Sequence, residues 1–343
     1  MSKKKNILVT GGLGYIGSHT VVELIGQGYE VTIIDNLVNS RIEILDQIEK
    51  ITKVKPIFHK LDLLDFDGLN KLFQSSKFDA VIHFAAHLLV DESVSNPLKY
   101  YRNNLLSLIN LLEIMELHRI KNIIFSSSCT VYGNPEKFPV SENTSIGKAS
   151  SPYGSTKIMG EQIIEDTVKA SSNLNGILLR YFNPVGAHES GLIGELTIGN
   201  PKHLFPILGK AFRENKSFKV FGNDYNTGDG TAVRDYIHVV DLANAHASAL
   251  EKMLSTDANE LKSYNISTGK GLSVLQIINE FNKESKQNID VIFEKRRAGD
   301  VEKIWAEPTL AKKELGWEPQ YALNDMVSSA LKWENYQLSK NWK

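Results

Sequence analysis

Short apolar runs alternate with helix-length segments through the first half of the chain, at Ile7–Val9, Val31–Ile34, Ala80–Phe84, Asn122–Ser126 and Ile177–Phe182. Runs of this length, rich in Val, Ile and Phe, predict central strands of a parallel sheet with helices on both faces. The pattern reads as an α/β doubly wound domain. Between two of these strands, Asn104–Met115 carries Leu105, Leu106, Leu108, Ile109, Leu111, Leu112 and Ile114, apolar around most of a helix circumference. Such a helix is expected to lie buried against the sheet, with a subunit contact as the alternative use of its apolar surface.

After Phe182 the texture changes. Asn183-Pro184, Gly186, Gly191, Gly194 and Gly199 follow closely on one another, which is loop chemistry. Strand and helix signals then recur less regularly, at Phe218–Phe221, Tyr264–Ile266 and Ile289–Phe293, and Glu307–Gly316 reads as a short helix closed by its glycine. The expected organisation is two units, residues 1–182 and a smaller α/β unit over 183–343, with segments of the second packing back on the first. A chain of 343 residues is long enough for both. The uncharged stretch from Asn6 to Val22 does not read as a membrane span, because Gly11, Gly12, Gly14 and Gly17 interrupt it.

Charge narrows the class of partner. With 39 Lys+Arg against 40 Asp+Glu the formal charge is -1, which argues against a nucleic-acid or membrane binder working through bulk charge and for a small molecule. A single cysteine, Cys129, makes neither an internal disulfide nor a cysteine-based metal site, so no metal and a cytoplasmic location are expected.

The first candidate chemistry is Gly11-x-x-Gly14-x-x-Gly17, which follows a predicted strand and opens a predicted helix running to about Gln27. Glycines there let the backbone approach a pyrophosphate while helix N-terminal amides face it. The second strand ends in Asp35, eighteen positions after Gly17, where a carboxylate can accept hydrogen bonds from an adenosine ribose and repel a 2′-phosphate. NAD is favoured over NADP on that ground.

The second is Tyr153 and Lys157, four apart after Ser151-Pro152, a plausible cap and first helical residue, so that both project from one helix face. Twelve tyrosines and 31 lysines make about one such pair expected by chance, and Tyr336 with Lys340 in the polar tail is a second instance. Position separates them, since the first lies between a strand ending in Ser126-Ser127-Ser128 and one ending at Phe182. A tyrosine base with a reference pKa of ~10 needs about 4 kcal/mol of stabilisation to ionise near neutrality. One cation ~4 Å away at an effective dielectric of 20 supplies about that much, which gives Lys157 its expected role. Ser128, at the carboxyl end of its strand, is placed to hydrogen-bond a reacting hydroxyl.

Taken together, Gly11-Gly12-Leu13-Gly14-Tyr15-Ile16-Gly17-Ser18-His19, Asp35-Asn36-Leu37, Phe125 through Gly133, Tyr153 to Lys157, Arg180 through Ala187 and Arg234-Asp235-Tyr236-Ile237-His238-Val239 closely resemble the UDP-glucose 4-epimerase family of extended short-chain dehydrogenase/reductases. The resemblance implies a Rossmann-like fold, tightly held NAD, a UDP-hexose substrate, a homodimer and a place in galactose metabolism. It also implies a mechanism without net redox change, in which tyrosine takes the C4 hydroxyl proton while hydride leaves C4, and the 4-keto sugar turns before hydride returns. Carried over by position, the NAD contacts fall on Tyr15, Ile16, Asp35, Asn36, Leu37, Val38, Asn39, Ser40, Asp62, Leu63, Phe84, Ala85, Asn103 and Lys157, with Phe182 near the nicotinamide. The nucleotide-sugar contacts fall on Ser128, Tyr153, Asn183, Leu204, Arg234, Arg297 and Asp300. With only eight arginines in the chain, those at 234 and 297 suit a diphosphate rather than mere solvation.

Two departures alter the expectation. Many members carry a lysine after the Phe-Ala pair where this chain has Leu88, so a pyrophosphate contact is lost or replaced, with His87 the nearest candidate. Where a bulky tyrosine restricts the C2 substituent in some members this chain has Ile304, which predicts acceptance of N-acetylated UDP-hexoses as well. The nearest rival activity, a sugar-nucleotide 4,6-dehydratase, needs a carboxylate acid/base pair beside the serine, where this chain has Cys129 and Thr130. A redox-sensing NAD-binding regulator would usually lose the tyrosine or the lysine, and an epimerase for UDP-glucuronate or a pentose analogue remains an alternative substrate reading.

Overall fold

The computed structural model describes residues 4–171, 173–196, 198–199, 201–256, 259–297 and 300–340. From the N-terminus, strand β1 (Asn6–Thr10) leads through the glycine turn into helix α1 (Tyr15–Gly26), then β2 (Glu30–Asp35), α2 (Glu43–Thr52), β3 (Ile57–Lys60), α3 (Phe66–Ser75) and β4 (Ala80–His83). There follow α4 (Val90–Ser95), α5 (Pro97–Leu117), β5 (Asn122–Ser128), a short 3₁₀ turn over Cys129–Tyr132, α6 (Pro152–Ala170) and β6 (Asn175–Tyr181). The remainder forms β7 (Asn183–Val185), α7 (Leu204–Glu214), β8 (Phe218–Phe221), β9 (Val233–His238), α8 (Val239–Leu254), β10 (Leu261–Ile266) and β11 (Gly271–Ser273). It closes with α9 (Val274–Ser285), β12 (Val291–Glu294), β13 (Lys303–Ile304), α10 (Thr309–Leu315) and α11 (Leu323–Lys340).

Seven parallel strands form the main sheet in the order β10-β6-β5-β4-β1-β2-β3. The five expected apolar runs all lie in it, and their residues are buried because helices cover both faces. Its order reverses between β1 and β4, the crevice in which doubly wound sheets bind ligands. The edge strand β3 escapes the apolar pattern because Ile57 is exposed at the sheet margin. Strand β10 lies far along the chain yet completes the main sheet, and α8 before it packs on α1, so the stretch from 239 to 266 belongs physically with the N-terminal elements.

A smaller sheet joins β11, β9 and β13, with β7 also pairing to β9, and β8 pairs with β12. Helix α5 buries Leu108, Leu111, Leu112, Ile114 and Met115 as its composition predicts, but leaves Leu106 and Ile109 exposed. The short α10 ends at Gly316, whose φ of +64° supplies the left-handed residue that closes a helix.

Candidate functional site

The glycine turn is built by close approach of backbone to backbone. Gly11 has φ +69°, and a Cβ there would lie 2.9 Å from the Ala85 nitrogen across the β1–β4 crevice. A Cβ at Gly17 would lie 2.3 Å from the Gly11 carbonyl oxygen. Helix α1 starts at Tyr15 with no side-chain cap and no acidic residue in its first turn. Its first amides thus keep their donors and partial positive charge for an anion. These features fit the pyrophosphate of a dinucleotide.

Asp35 does more than face a ribose. Its Oδ1 accepts from Leu37 N at 2.9 Å and Ser40 Oγ at 2.7 Å, and its Oδ2 accepts from Leu13 N at 3.1 Å. Three of a carboxylate's roughly four acceptor positions are therefore engaged within the protein. Asp35 ties the glycine turn to the loop after β2, and Leu37 takes φ +65° in that loop. Asn36 Nδ2 donates to Asp62 Oδ2 at 3.0 Å, Asp62 Oδ1 accepts from Leu64 N at 2.9 Å, and Asn110 Nδ2 holds the Leu63 carbonyl at 2.9 Å. Val38 and Asn39 are exposed beside them, and Ile16 packs against the main core. Phe84 N donates to Thr10 O at 3.1 Å, and Asn103 Nδ2 donates to Asn104 Oδ1 at 3.0 Å. Tyr15 reaches the other way, its hydroxyl donating 2.7 Å to the Gly186 carbonyl beyond β7.

His87 is a poor electrostatic substitute for a lysine. Burial and the neighbouring Lys99 lower its pKa, and its ring packs on Tyr100 at 5.5 Å between centroids. Its backbone is clamped by Asn104, which accepts from His87 N at 2.8 Å and donates to His87 O at 3.0 Å. Leu88 beside it is exposed.

On the other side of the crevice, Ser151 caps α6 by accepting from Gly154 N at 3.2 Å, with Pro152 in the first helical position. This sets Tyr153 and Lys157 facing the end of β5. Ser128 lies beside Tyr153, near enough to act on its hydroxyl. Lys157 Nζ donates to the Ser126 carbonyl at 2.6 Å, 5.0 Å from the Phe125 ring centroid and 5.8 Å from that of Tyr153. Burial drives the Tyr153 hydroxyl well above its ordinary pKa, with Tyr181 and Cys129 adding to the rise and Ser128 opposing it. Burial also lowers Lys157 to about 8, against the pull of Glu161. Burial thus opposes the ionisation of Tyr153 that the Lys157 charge, assisted by a positive nicotinamide ring, is expected to favour.

The small sheet holds two of the nucleotide-sugar candidates, Asn183 and Arg234, while Leu204, Arg297 and Asp300 lie outside it. Asn183 on β7 is registered with Tyr236 on β9, and Arg234 on β9 lies between Leu272 of β11 and Ile304 of β13. Arg234 Nη1 donates to the Val233 carbonyl at 2.9 Å. Leu204 opens α7, and Phe182 is buried with Ile304 and Tyr132. Arg297 lies 3.8 Å over the centroid of Phe221, and Asp300 N donates to the Arg297 carbonyl at 3.4 Å. Phe221 escaped the sequence reading because an aromatic in a short strand signals only core, and Tyr225, whose ring carries the Arg296 guanidinium at 4.0 Å, because it lies in the loop after that strand. Also unread were the buried partners Glu161, Arg180 and Ser127, which share a hydrogen-bonded knot beneath Lys157. Beside Ser128, Cys129 and Thr130 offer no carboxylate for eliminating water across C5 and C6.

The comparisons agree with this geometry. The family model described as GDP-mannose 4,6 dehydratase matches residues 8–330. The UDP-glucose 4-epimerase of Bacillus subtilis is 48% identical over 330 residues, covering 96% of each chain. Among solved structures, UDP-glucose 4-epimerase from Stenotrophomonas maltophila, with bound NAD and formylated UDP-arabinopyranose, superposes with a TM-score of 0.95 at 42% identity. It covers 98% of this chain and 99% of its own. The Bifidobacterium longum enzyme in complex with NAD+ and UDP gives a TM-score of 0.93 at 42% identity, covering 97% and 99%. With such identity across almost the whole of both chains and the same fold, the chain belongs to the UDP-glucose 4-epimerase family of extended short-chain dehydrogenase/reductases.

Proposed function

We propose that the protein interconverts UDP-glucose and UDP-galactose by inverting C4, with Ser128, Tyr153 and Lys157 as the catalytic set. The observation that carries this reading is the 2.6 Å hydrogen bond from Lys157 Nζ to the Ser126 carbonyl, which brings the Tyr153–Lys157 face of α6 to the end of β5 beside Ser128, with no carboxylate pair next to the serine. Asp35 at the end of β2, the segments at Asp62 and Phe84, Asn103 on α5 and the glycine turn hold NAD. When bound, NAD+ supplies a reversible hydride acceptor and a positive charge. Tyr153 takes the C4 hydroxyl proton as the C4 hydride departs, and gives it back when hydride returns to the opposite face; atoms and electrons balance over the cycle. Ser128 holds the reacting oxygen, and the carbonyl of Ser126 fixes the Lys157 ammonium beside the tyrosine. Incubation with UDP-galactose and no added oxidant is expected to yield UDP-glucose to equilibrium without net NADH. Accumulation of a 4-keto-6-deoxy sugar would instead establish a dehydratase.

On this reading Asn183, Leu204, Arg234, Arg297 and Asp300 bind the nucleotide sugar, and the chain divides functionally into an NAD unit over 1–182 and a UDP-sugar unit over 183–343. The exposed Leu106 and Ile109 on α5 and Met159 on the adjoining α6 support a homodimer formed through these two helices. No helix among the described residues is long and apolar enough to cross a membrane. A cytoplasmic enzyme of galactose metabolism fits these features.

Ile304 is paired with Arg234 and buried, so its size bears on the sugar pocket. UDP-GalNAc and UDP-galactose are expected to turn over at comparable rates. Ile304→Tyr should lower the UDP-GalNAc rate relative to UDP-galactose by about tenfold or more, in the range a single pocket contact commands. Complete inactivity of the unaltered protein on UDP-GalNAc would remove this substrate class.

A further inference from the structure

Beneath the Ser128–Tyr153–Lys157 set lies a buried ion pair that the reaction itself does not use. Tyr153, Lys157 and Glu161 follow at four-residue intervals on α6 and line one face of it. Glu161 accepts from Arg180 twice, Nε to Oε1 at 2.9 Å and Nη2 to Oε2 at 2.7 Å, and from Ser127 Oγ at 2.5 Å. Ser127 stands between Ser126, whose carbonyl holds Lys157, and Ser128, which lies beside Tyr153. Arg180 in turn donates to Tyr132 Oη at 3.2 Å, and Tyr132 donates to Asn265 Oδ1 at 2.6 Å. Glu161, Arg180 and Ser127 are all almost fully buried.

A buried ion pair is a weak way to stabilise a fold, since apolar replacements of similar volume are often neutral or better. Its position beside Lys157 gives it another use. Lys157 meets His83 from β4, the Phe125 ring and Ser126 carbonyl from β5, and Tyr153 and Glu161 from its own helix. Tyr181 of β6 adjoins through its hydrogen bond with Ser126, and Arg180 of β6 reaches the group through Glu161. Among these groups Glu161 is the carboxylate, and it is fixed by three donors.

We propose that Glu161, clamped by Arg180 and Ser127, is a positioning residue that keeps Lys157 in its ammonium form beside Tyr153. Burial drives Lys157 towards the neutral amine, and the Glu161 charge acts against it. The sign follows directly: Lys157 loses its proton as pH rises through its folded pKa, so activity that needs the ammonium falls on the alkaline side. Removing the carboxylate lowers that pKa and moves the alkaline limb to lower pH.

The inference rests on the epimerase reading, and the experiment separates the two. The purified holoenzyme is labelled with ¹³C at lysine Cε, the Lys157 signal is assigned by its loss in Lys157→Met, and its titration is followed in parallel with kcat against pH on UDP-galactose. The variants are Glu161→Gln and the double change Glu161→Gln with Arg180→Met. The double variant does not leave the Arg180 guanidinium buried without its carboxylate, so it is the better folded of the two if the single one fails to fold. In Glu161→Gln Lys157 is expected to titrate about one pH unit lower or more, a tenfold change in its acid constant, with the alkaline limb moving by the same amount; the double variant, which also removes the opposing Arg180 charge, is expected to shift less in the same direction. An unmoved Lys157 titration and limb in a folded variant overturn the proposal. If the unaltered protein fails to convert UDP-galactose, the reaction reading falls, and the Lys157 titration still decides the role of Glu161.

Discussion

Tyr153→Phe is expected to lower kcat on UDP-galactose by about 10²–10⁴-fold, the range removed with a positioned acid/base group, while the protein keeps its fold and its bound NAD. The phenyl ring fills the same space on α6, and the lost atom is the hydroxyl beside Ser128. Ser128 is not left without a partner, because its Oγ accepts from Thr130 N at 3.3 Å. The cost therefore falls on the proton transfer and not on the architecture, so KM should change little while kcat collapses. Burial that raises the Tyr153 pKa has a further consequence: the unliganded site favours a neutral phenol, and positive charge beside it favours the base. Steady-state kinetics together with the absorbance of retained cofactor test both parts. A kcat within tenfold of the unaltered protein would take Tyr153 out of the base role.

The parts of this molecule that could be read from sequence are those where local pattern and tertiary role coincide. Strands β1, β2, β4, β5 and β6 lie inside the sheet, so their apolar runs are continuous; β3 lies at its edge, and Ile57 exposed there breaks the pattern. Strand β10 was legible as a strand but not as a member of the main sheet, because spatial order there departs from chain order. In the site, Gly11, Gly17, Tyr153 and Lys157 follow fixed spacings dictated by a turn and a helix. The Glu161–Arg180 pair joins a helix to a strand 19 residues away, and no spacing rule selects it from the other charges. Asp35 was legible as a carboxylate closing β2, whereas its hold on Leu13 depends on β1 and β2 being neighbours.

Two glycines of α1 respond to the same substitution in opposite ways, which isolates the cofactor turn from helix propensity. Gly17→Ala places a methyl group 2.3 Å from the Gly11 carbonyl oxygen and 2.9 Å from the Gly12 Cα, both backbone atoms that no rotamer change can move. The first turn of α1 must lift from the glycine loop, a strain of about 3 kcal/mol in the range of severe overpacking. The amides that face the pyrophosphate move with it, so the variant is expected to purify without NAD and to melt several degrees lower. Gly26, the last residue of the same helix, is exposed with nothing within 4 Å of a Cβ. Gly26→Ala is therefore expected to stabilise the protein by about 0.5–1 kcal/mol through helix propensity, with cofactor content unchanged. Melting curves and the absorbance of released NAD read both variants side by side. If Gly17→Ala kept its cofactor and melted with the unaltered protein, the close packing of α1 on the loop would not be what holds the dinucleotide. The contrast with Gly26 then locates the failure in the cradle argument and not in the effect of alanine on the helix.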